Sequence, residues 1–459
     1  MASFTIEEIL QATGGTLLRQ GTAKICSGVS TDTRTLAPGA LFLPLSGERF
    51  NGHRFLRKAA EQGAAAVLLS EREWMEDLPE ALTAIAVDDT LAALEGLARF
   101  HRLRFAIPVV AVTGSNGKTT TKDMIASVLK TVYHVCHTKK NFNNEIGLSQ
   151  TLLSLTDEDE VCVVEMGMRG LGQIAELCRT ACPTIGVVTN VGTSHIGLLG
   201  SQDNIARAKA ELIEALPADG TAILNEDDPR VRAMGGRFAG RVVSYGAAEG
   251  KDVSAEDIRE EPDAMDFLCR AFDETFPVRL PLIGIHNVYD ALAAAAAGRV
   301  LGVPPEQIRT ALESFRPQGD SQKMESIGGA SILNDAYNAN PLSMDMAFRA
   351  LRQLPGRRHL LVLGDMLELG AYAEALHRET GEKAASYGFD EMITVGPLAR
   401  QMAEAAKAAG LPKIVCFEDC RSAAEYLKQE VRPGDAVLIK GSHAMHLETI
   451  PGLWRGEGE

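Results

Sequence analysis

The chain has 459 residues, of which 45% are hydrophobic and 23% are charged, and its formal net charge is −15 at pH 7. This length suits two to four domains that each bury a core, and the composition is that of an ordinary globular protein. The negative charge argues against nonspecific binding to nucleic acid, whose phosphates attract basic surfaces.

The N-terminal residues lack the basic and apolar regions of a signal peptide, and no apolar run is long enough to span a bilayer. The eight cysteines are scattered and complete no zinc-binding pattern. Because reduced cysteines are typical of the cytosol, we expect a cytoplasmic protein without membrane insertion.

The first block of the chain, residues 1–107, mixes short buried strands with helices. Apolar runs at 41–45 and 65–69 predict strands, and the periodicity of 91–104 predicts a helix. Pro108 marks the end of this block. We predict a small α/β domain here.

The most informative segment of the chain follows at once. An apolar strand at 109–112 leads into Thr113-Gly114-Ser115-Asn116-Gly117-Lys118-Thr119-Thr120, and then into a predicted helix. Glycines let backbone N–H groups approach the phosphates of a nucleoside triphosphate, Lys118 can meet its β/γ-phosphates, and the Thr119 hydroxyl can ligate Mg²⁺. The usual P-loop pattern also needs a glycine at position 112, where this chain has Val112.

The second block, residues 108–315, surrounds this phosphate loop. Near-continuous apolar runs at 161–166 and 185–190 predict strands of a parallel sheet that is covered on both faces. The third block, residues 316–459, alternates five short strands with amphipathic helices and has no G-x-G-x-x-G motif, which argues against dinucleotide binding there. The predicted fold class is therefore α/β, with a small α/β N-terminal domain, a central P-loop ATPase-like parallel-sheet domain and a C-terminal Rossmann-like domain.

Polar residues stand where the central strands end. Glu165 closes one strand, Asn190 closes the next, and His195 follows. Ligands of open parallel sheets bind at these carboxyl ends, so Glu165 is a candidate Mg²⁺ ligand, although a salt-bridge role is equally open. His195 read alone is a loop histidine that forms hydrogen bonds. Lys209 read alone is a solvated lysine on an amphipathic helix.

Two loops carry more amides and carboxylates than a turn requires. The first contains Asn141, Asn143 and Asn144, which either cap the next helix or line a polar pocket. The second runs from Asn334 to Pro341 and directly follows a predicted strand. We interpret it as a functional loop with the candidate residues Asp335, Tyr337, Asn338 and Asn340.

Taken together, these segments resemble the Mur ligase family over essentially the whole chain. The family's phosphate loop reads T-G-(S/T)-N-G-K-T-(T/S), without the earlier glycine, so Val112 is no departure from it. Further matches are the N-x-N-N-x-x-G of 141–147, the E-M-G at Glu165, the N-(I/V)-x-x-x-H that ends at His195 and the H-N-x-x-N stretch from His286, which has Asp290 in place of its second Asn. Motifs at 335–344 and 364–370 resemble the branch of the family that adds a dipeptide.

The resemblance implies an ATP- and Mg²⁺-dependent amide ligase of peptidoglycan synthesis. Such an enzyme joins D-alanyl-D-alanine to UDP-N-acetylmuramoyl-tripeptide through an acyl-phosphate, with release of ADP and phosphate. We expect a monomer. The identity of the third residue of the tripeptide, meso-diaminopimelate or lysine, stays open.

Residue roles follow from the same resemblance. Lys118, His195 and Lys209, the last as a carbamate, would serve catalysis, and the metal ligands would be Thr119, Glu165, His195 and Lys209. ATP would be bound by the phosphate loop, Asn287 and Asp335. Substrate would be bound by Ser30, Thr31, Arg34, Asn141, Asn143, Asn144, Tyr337, Asn338 and Asn340.

Departures from the family pattern lie in the third domain. Lys323 stands where the family often has Arg, and lysine cannot reproduce the bidentate guanidinium fork. His443 and His446 replace two arginines near the C-terminus, so any anion contact there would become pH-dependent.

Two alternatives remain. The first is another amide ligase of the superfamily, such as the enzyme that adds the third amino acid or a folylpolyglutamate synthase; the motifs at 335–344 and 364–370 argue against it. The second is a nucleotide-gated switch protein, against which Glu165, His195, Lys209 and the third domain argue. ATP turnover that needs no UDP-sugar peptide and no amine would favour the switch.

Overall fold

The computed structural model describes residues 2–47, 50–76, 78–261, 263–317 and 323–457. Its sheets fall into an N-terminal unit within 2–107, a central unit within 108–315 and a C-terminal unit within 323–457. The mixed α/β fold with largely parallel sheets confirms the fold class predicted from the sequence.

The N-terminal unit is built on a five-stranded sheet in the order β2-β9-β8-β5-β4. The strands of the unit are β1 (Ser3–Thr5), β2 (Thr16–Arg19), β3 (Ile25–Ser27), β4 (Val29–Ser30), β5 (Leu41–Phe42), β6 (Ser46–Gly47), β7 (Phe50–Asn51), β8 (Ala66–Leu69) and β9 (Thr83–Ala86). Strands β1 and β3, and strands β6 and β7, form two further two-stranded sheets. The helices of the unit are α1 (Ile6–Thr13), α2 (Leu56–Glu61) and α3 (Thr90–Arg102).

Helix α3 joins the N-terminal unit to the central unit. Asp89 caps its first turn, and the apolar face with Leu94 and Leu97 is buried in a cluster that includes residues of all three units. At its end the Arg102 guanidinium donates hydrogen bonds to the carbonyls of Ala181 at 3.1 Å and Ile107 at 3.0 Å. The link between the two units near Pro108 is therefore held by a buried guanidinium whose hydrogen bonds all go to backbone oxygens.

The central unit contains a nine-stranded sheet in the order β11-β12-β10-β13-β14-β15-β16-β17-β18. The strands from β11 to β16 pair in parallel, and β16, β17 and β18 pair antiparallel. Its strands are β10 (Val109–Thr113), β11 (Val135–His137), β12 (Val161–Glu165), β13 (Ile185–Val188), β14 (Thr221–Asn225), β15 (Arg241–Gly246), β16 (Val253–Glu260), β17 (Met265–Ala271) and β18 (Glu274–Leu280).

Eight helices of the central unit cover this sheet within the described residues. They are α4 (Lys118–Leu129), α5 (Glu145–Leu153), α6 (Gln173–Ala181), α7 (Ile196–Leu199), α8 (Gln202–Glu214), α9 (Pro229–Gly235), α10 (Ile285–Val300) and α11 (Pro305–Glu313). The alanine-rich α10 is buried on nearly all sides, because small side chains let it approach α4 and the sheet closely. Among the described residues, no helix has the length and hydropathy needed to cross a membrane.

The C-terminal unit contains a six-stranded sheet in the order β19-β20-β24-β21-β22-β23, parallel except for the edge strand β19. The five parallel strands are those predicted from the sequence. The strands are β19 (Lys323–Ile327), β20 (Ala330–Asn334), β21 (His359–Gly364), β22 (Glu391–Val395), β23 (Ile414–Phe417) and β24 (Ala436–Lys440), and the helices are α12 (Pro341–Gln353), α13 (Ala373–Ser386), α14 (Ala399–Ala408), α15 (Cys420–Glu430) and α16 (Ile450–Arg455).

Candidate active site

A cavity of about 1030 Å³ opens at the carboxyl ends of the central parallel strands, facing the C-terminal unit. Of the residues predicted to bind ATP, metal or substrate, it brings together Gly114, Ser115, Asn116, Gly117, Lys118, Thr119, Thr120, Asn141, Asn143, Asn144, Glu165, His195, Lys209, Asn287, Asp335, Tyr337 and Asn338. Residues that are far apart in the sequence therefore line one continuous cavity.

The phosphate loop depends on two glycines. Gly114 has φ +154°, and a Cβ there would lie 1.8 Å from Thr189 Oγ1. Gly117 has φ +77°, and a Cβ there would lie 2.5 Å from Asp290 Oδ1. Both positions exclude other residues by backbone conformation and by space. Helix α4 begins at Lys118, so its N-terminal N–H groups point into the cavity.

Val112 explains why this loop needs no earlier glycine. The residue lies inside β10, fully buried between β12 and β13, and pairs in register with Glu165. The chain turns only at Gly114. The sequence departure at position 112 is therefore a strand residue of the core, and the loop proper is shorter.

Asn190 holds the phosphate loop in shape. Its carbonyl accepts a hydrogen bond from Ser115 N at 2.9 Å, and its side-chain oxygen accepts one from Asn116 N at 3.0 Å. The Asn190 amide also donates to the Asn116 carbonyl at 3.1 Å. An asparagine is suited to this position because it can donate and accept at once.

Lys118 folds over the loop that precedes it. Its Nζ donates to the carbonyls of Gly114 at 3.0 Å and Ser115 at 3.3 Å. Burial lowers the pKa of Lys118, and the nearby Glu165 carboxylate partly offsets that effect. The ammonium is thus held against the phosphate loop that lines the cavity.

Glu165 is fully buried at the end of β12. One carboxylate oxygen, Oε1, accepts a hydrogen bond from Asn143 Nδ2 at 2.8 Å, whereas Oε2 is buried without a partner among the described residues. An unpaired buried carboxylate oxygen is costly unless a cation or donor meets it. The geometry therefore favours the metal-ligand interpretation of Glu165 over the salt-bridge alternative.

His195 has a left-handed backbone with φ +63° and precedes α7. Its Nδ1 is hydrogen-bonded to the Glu368 carboxylate of the C-terminal unit. Burial lowers the pKa of His195, with Glu368 acting in the opposite direction. A histidine whose Nδ1 meets a carboxylate presents Nε2 to its surroundings, as metal-ligating histidines do.

Lys209 is not a solvated lysine. Its residue is 2% exposed, it lines the cavity, and it forms no hydrogen bond or ion pair with the rest of the described chain. Burial, with Lys118 as a second cause, lowers the pKa of Lys209 well below its ordinary value. Burial therefore shifts the protonation equilibrium of Lys209 towards the neutral amine, which is the nucleophilic form.

The amide-rich loop serves both roles that the sequence left open. Asn144 caps α5 by accepting a hydrogen bond from Gly147 N at 2.9 Å, and it also lines the cavity.

In the C-terminal unit, Asp335 pairs with Lys440 at 2.7 Å, and the Tyr337 ring packs on His443 with centroids 5.6 Å apart. His443 thus contacts a cavity residue without lining the cavity itself.

Five predicted residues do not line this cavity. Asn340 is buried and donates to Asn116 Oδ1 at 2.7 Å and Ser194 Oγ at 2.9 Å, so it ties the C-terminal unit to the phosphate loop. Asn340 lies at the junction of the two units, where the sequence predicted it, but its amide group already donates hydrogen bonds to other residues of the protein. Thr113 is the buried last residue of β10; the other three, in the N-terminal unit, are Ser30, Thr31 and Arg34.

Asp227 and Asp228 were missed from the sequence although they line the same cavity. Asp228 accepts a hydrogen bond from Val191 N at 2.7 Å, and Asp227 Oδ2 accepts one from the Tyr289 hydroxyl at 3.0 Å. They are the second and third residues after β14. The strand-end rule that selected Glu165 would also have found them, had β14 been recognised.

Asp290 of α10 packs against the phosphate loop beside Gly117. It is buried, accepts a hydrogen bond from Thr121 Oγ1 at 2.7 Å, and has its pKa raised to about 7 by burial. The pKa of Asp in an unfolded chain is about 3.9. Between about pH 4 and pH 7 the folded protein therefore keeps a proton on Asp290 that the unfolded chain loses. The free energy of unfolding falls as pH rises through this range.

We expect Asp290→Asn to remove this pH dependence, because Asn keeps the acceptor without the charge. The free energy of unfolding of the variant should exceed that of the native protein by about 1–4 kcal/mol at pH 8, and the gap should shrink towards pH 5. Urea unfolding at both pH values measures this. A gap that stays constant with pH would contradict the buried-acid interpretation.

A parallel sheet with a phosphate loop, an unpaired carboxylate oxygen and the lysines Lys118 and Lys209 at one cavity defines a nucleoside-triphosphate-dependent enzyme. Three family models match the chain: "Mur ligase family, catalytic domain" at residues 26–102, "Mur ligase middle domain" at 112–298 and "Mur ligase, glutamate ligase domain" at 321–443. The chain belongs to the Mur ligase family, which confirms the resemblance seen in the sequence.

Individual relatives are similar over their full lengths. The UDP-N-acetylmuramoyl-tripeptide–D-alanyl-D-alanine ligase of Bacillus subtilis (strain 168) is 39% identical, with 98% of each chain covered. The crystal structure of MurF from Acinetobacter baumannii superposes with a TM-score of 0.92 at 31% identity, with 99% of each chain covered. The crystal structure of MurF ligase from Thermotoga maritima in complex with ADP has a TM-score of 0.83 at 28% identity. The match covers 94% of this chain and 97% of the Thermotoga maritima chain.

Proposed function

We propose that this chain is the ATP-dependent ligase that joins D-alanyl-D-alanine to UDP-N-acetylmuramoyl-tripeptide, forming the pentapeptide precursor of peptidoglycan with release of ADP and phosphate. Full-length relatives with this name support the reaction. The structural observation that carries it is that the phosphate loop, Glu165, Lys209 and the loop around Tyr337 line one cavity.

In the first step, a carboxylate oxygen of the tripeptide attacks the γ-phosphorus of ATP, and ADP leaves. The N–H groups of the phosphate loop and the Lys118 ammonium surround the phosphates and stabilise the charge that moves onto ADP. The product is an acyl-phosphate, whose phosphate is a far better leaving group than the oxygen of a carboxylate.

Magnesium fits the donors at this cavity. Glu165 Oε2 is a buried, unpaired hard oxygen, and the Thr119 hydroxyl lies at the start of α4 in the same cavity. Glu165 and Thr119 would hold one Mg²⁺, and His195 would ligate or support a second. When bound, Mg²⁺ neutralises phosphate charge.

Lys209 is proposed to carry a carbamate. Addition of CO₂ to the neutral amine forms an N–C bond and releases a proton, so the side chain becomes an anionic carbamate that can help hold the second metal ion. The low pKa of Lys209 and its lack of a protein partner within the described residues support this role. The alternative interpretation of Lys209 as a solvated surface residue does not account for its burial.

In the second step, the amine of D-alanyl-D-alanine attacks the acyl carbon, and the tetrahedral intermediate releases phosphate to leave an amide. Acyl-phosphates hydrolyse, so water must be kept out. Tyr337 and Asn338 reach the cavity from the C-terminal unit and would contact the dipeptide. Asp335 and Asn287 line the same cavity and would contact the adenosine or ribose of ATP. The C-terminal unit thereby closes the side that the central sheet leaves open.

The remaining proposals concern the whole molecule. We propose domains at 1–107, 108–315 and 316–459, with Ser30, Thr31 and Arg34 of the first binding the UDP-sugar. Arg34 there forms an exposed ion pair with Asp32, so its guanidinium is available for exchange to a diphosphate. The enzyme would act in the cytoplasm, where ATP is available, as a monomer.

A ligation assay tests the proposed function. The protein is incubated with ATP, Mg²⁺, D-alanyl-D-alanine and either the meso-diaminopimelate or the lysine tripeptide, and product and phosphate are quantified. We expect one phosphate per pentapeptide, with single amino acids ineffective as acceptors. Phosphate release that is independent of tripeptide and dipeptide would exclude this function and favour a nucleotide switch. Product from single amino acids would favour another ligase of the superfamily.

A further inference from the structure

The motif at residues 364–370 has no role in the mechanism so far, yet it crosses the junction between two units. It follows β21 of the C-terminal unit, and its Glu368 reaches the central unit, where the carboxylate meets His195 Nδ1. Arg169, an exposed residue of the central unit, lies 3.5 Å from the other carboxylate oxygen. One side chain of the C-terminal unit is thus bonded to a proposed metal-site residue of the central unit.

The loop that carries Glu368 is anchored within its own unit. Asp365 Oδ1 accepts a hydrogen bond from Ala399 N at 2.7 Å, Met366 N donates to His377 Nε2 at 2.9 Å, and Leu367 N donates to Ser442 Oγ at 2.9 Å. Three successive residues are therefore fixed before the chain turns at Glu368, which has φ +62°. This left-handed conformation is costly for Glu and persists where surrounding contacts impose it.

The two units approach closely at the same place. Gly197 N donates to the Glu368 carbonyl at 3.1 Å, and the Tyr372 hydroxyl donates to the Gly200 carbonyl at 2.9 Å. A Cβ on Gly197 would lie 2.4 Å from Gly370 N, so the backbones pack without side chains between them. The position of Glu368 relative to His195 is therefore set by docking of the units.

We propose that Glu368 is a positioning residue for the ligation reaction: by accepting the Nδ1 proton of His195 across the junction, it fixes the tautomer and ring orientation that present Nε2 to the cavity. The His195 site is then complete only when the C-terminal unit is docked. This inference rests on the proposed function of His195 as a residue that ligates or supports Mg²⁺. Carboxylate partners of this kind orient metal-bound histidines in general.

The test compares Glu368→Ala with Glu368→Gln and with the control Glu374→Gln, an exposed residue at the start of α13. Ligation kinetics are measured for each protein, and binding of Mn²⁺ in the presence of ADP is followed by electron paramagnetic resonance. We expect Glu368→Ala to lower kcat and to weaken Mn²⁺ binding by about 10- to 100-fold each, with the KM for ATP nearly unchanged. Glu368→Gln, whose carbonyl still accepts from Nδ1, should recover part of both losses, and the control should match the native protein.

The outcomes separate the two levels of the argument. If the native protein fails to ligate, the proposed function fails. If the native protein ligates but Glu368→Ala retains its kcat, or loses kcat while its Mn²⁺ affinity is unchanged, Glu368 does not act through His195. Equal melting temperatures of the three variants show that each is folded, and a failure of Glu368→Gln to improve on Glu368→Ala would exclude a role through the hydrogen bond.

Discussion

Replacing Lys118 with alanine is expected to abolish pentapeptide formation, with a loss in kcat/KM of about 10³-fold or more. The ammonium lies over the carbonyls of Gly114 and Ser115, at the mouth of the phosphate loop, and no other lysine of the loop can take its place. Negative charge grows on the phosphates as the γ-phosphoryl group is transferred. Removing the only cation of the loop therefore destabilises the transition state more than it weakens nucleotide binding.

The matched control is Lys407→Ala, because Lys407 is an exposed lysine of α14 far along the chain from the phosphate loop. This variant should ligate as the native protein does. Binding of ADP and circular dichroism of Lys118→Ala should show a folded protein. Substantial residual ligation by Lys118→Ala would remove the lysine from its assigned role.

The second large effect is expected for Lys209→Ala, which should lose at least about 10²-fold in kcat. The buried amine lies at the cavity without a protein partner in the described chain, which suits a group that becomes an anion by taking up CO₂. Because the variant leaves space where the carbamate would stand, short carboxylic acids such as formate or acetate should restore part of the activity. Steady-state kinetics with increasing carboxylate measure the recovery.

Arg207→Ala is the control on the same helix, since Arg207 is exposed and hydrogen-bonds only to Asn204 within the described chain. It should retain activity and show no response to carboxylate. Normal activity of Lys209→Ala without added carboxylate would exclude Lys209 from the site. A loss of activity that no carboxylate relieves would argue against the carbamate.

The sequence predicted several strands of the two large parallel sheets, but it missed the parallel strands β11, β14 and β15 and the antiparallel strands β17 and β18. Strands β12, β13 and β20 to β24 are apolar runs, because parallel strands are covered on both faces. Strands β17 and β18 alternate buried and exposed residues, so no continuous apolar run marks them. The strand predicted at 41–45 is only Leu41–Phe42, because the chain leaves the sheet before Pro44, which has no N–H for a ladder.

The roles of single polar residues were the least predictable part. Spacing alone favoured a solvated Lys209, and the structure buries it because its helix packs that face towards the cavity. Asn190 and Asn340 look like candidate ligand contacts in the sequence, yet their amides hold the phosphate loop from two different units. Such a division depends on which groups meet across the junction, and no local pattern records that.

By itself, the sequence determined the kind of chemistry: the phosphate loop fixes its own turn through Gly114 and Gly117, and strand ends place Glu165 beside it, because these are local properties of chain geometry. Only the tertiary structure decided how the site is completed. It left one oxygen of Glu165 unpaired, made Lys209 a buried amine and brought Glu368 to His195 from a separate unit. Those outcomes depend on desolvation and on contacts between residues more than a hundred positions apart, which only the packed chain brings about.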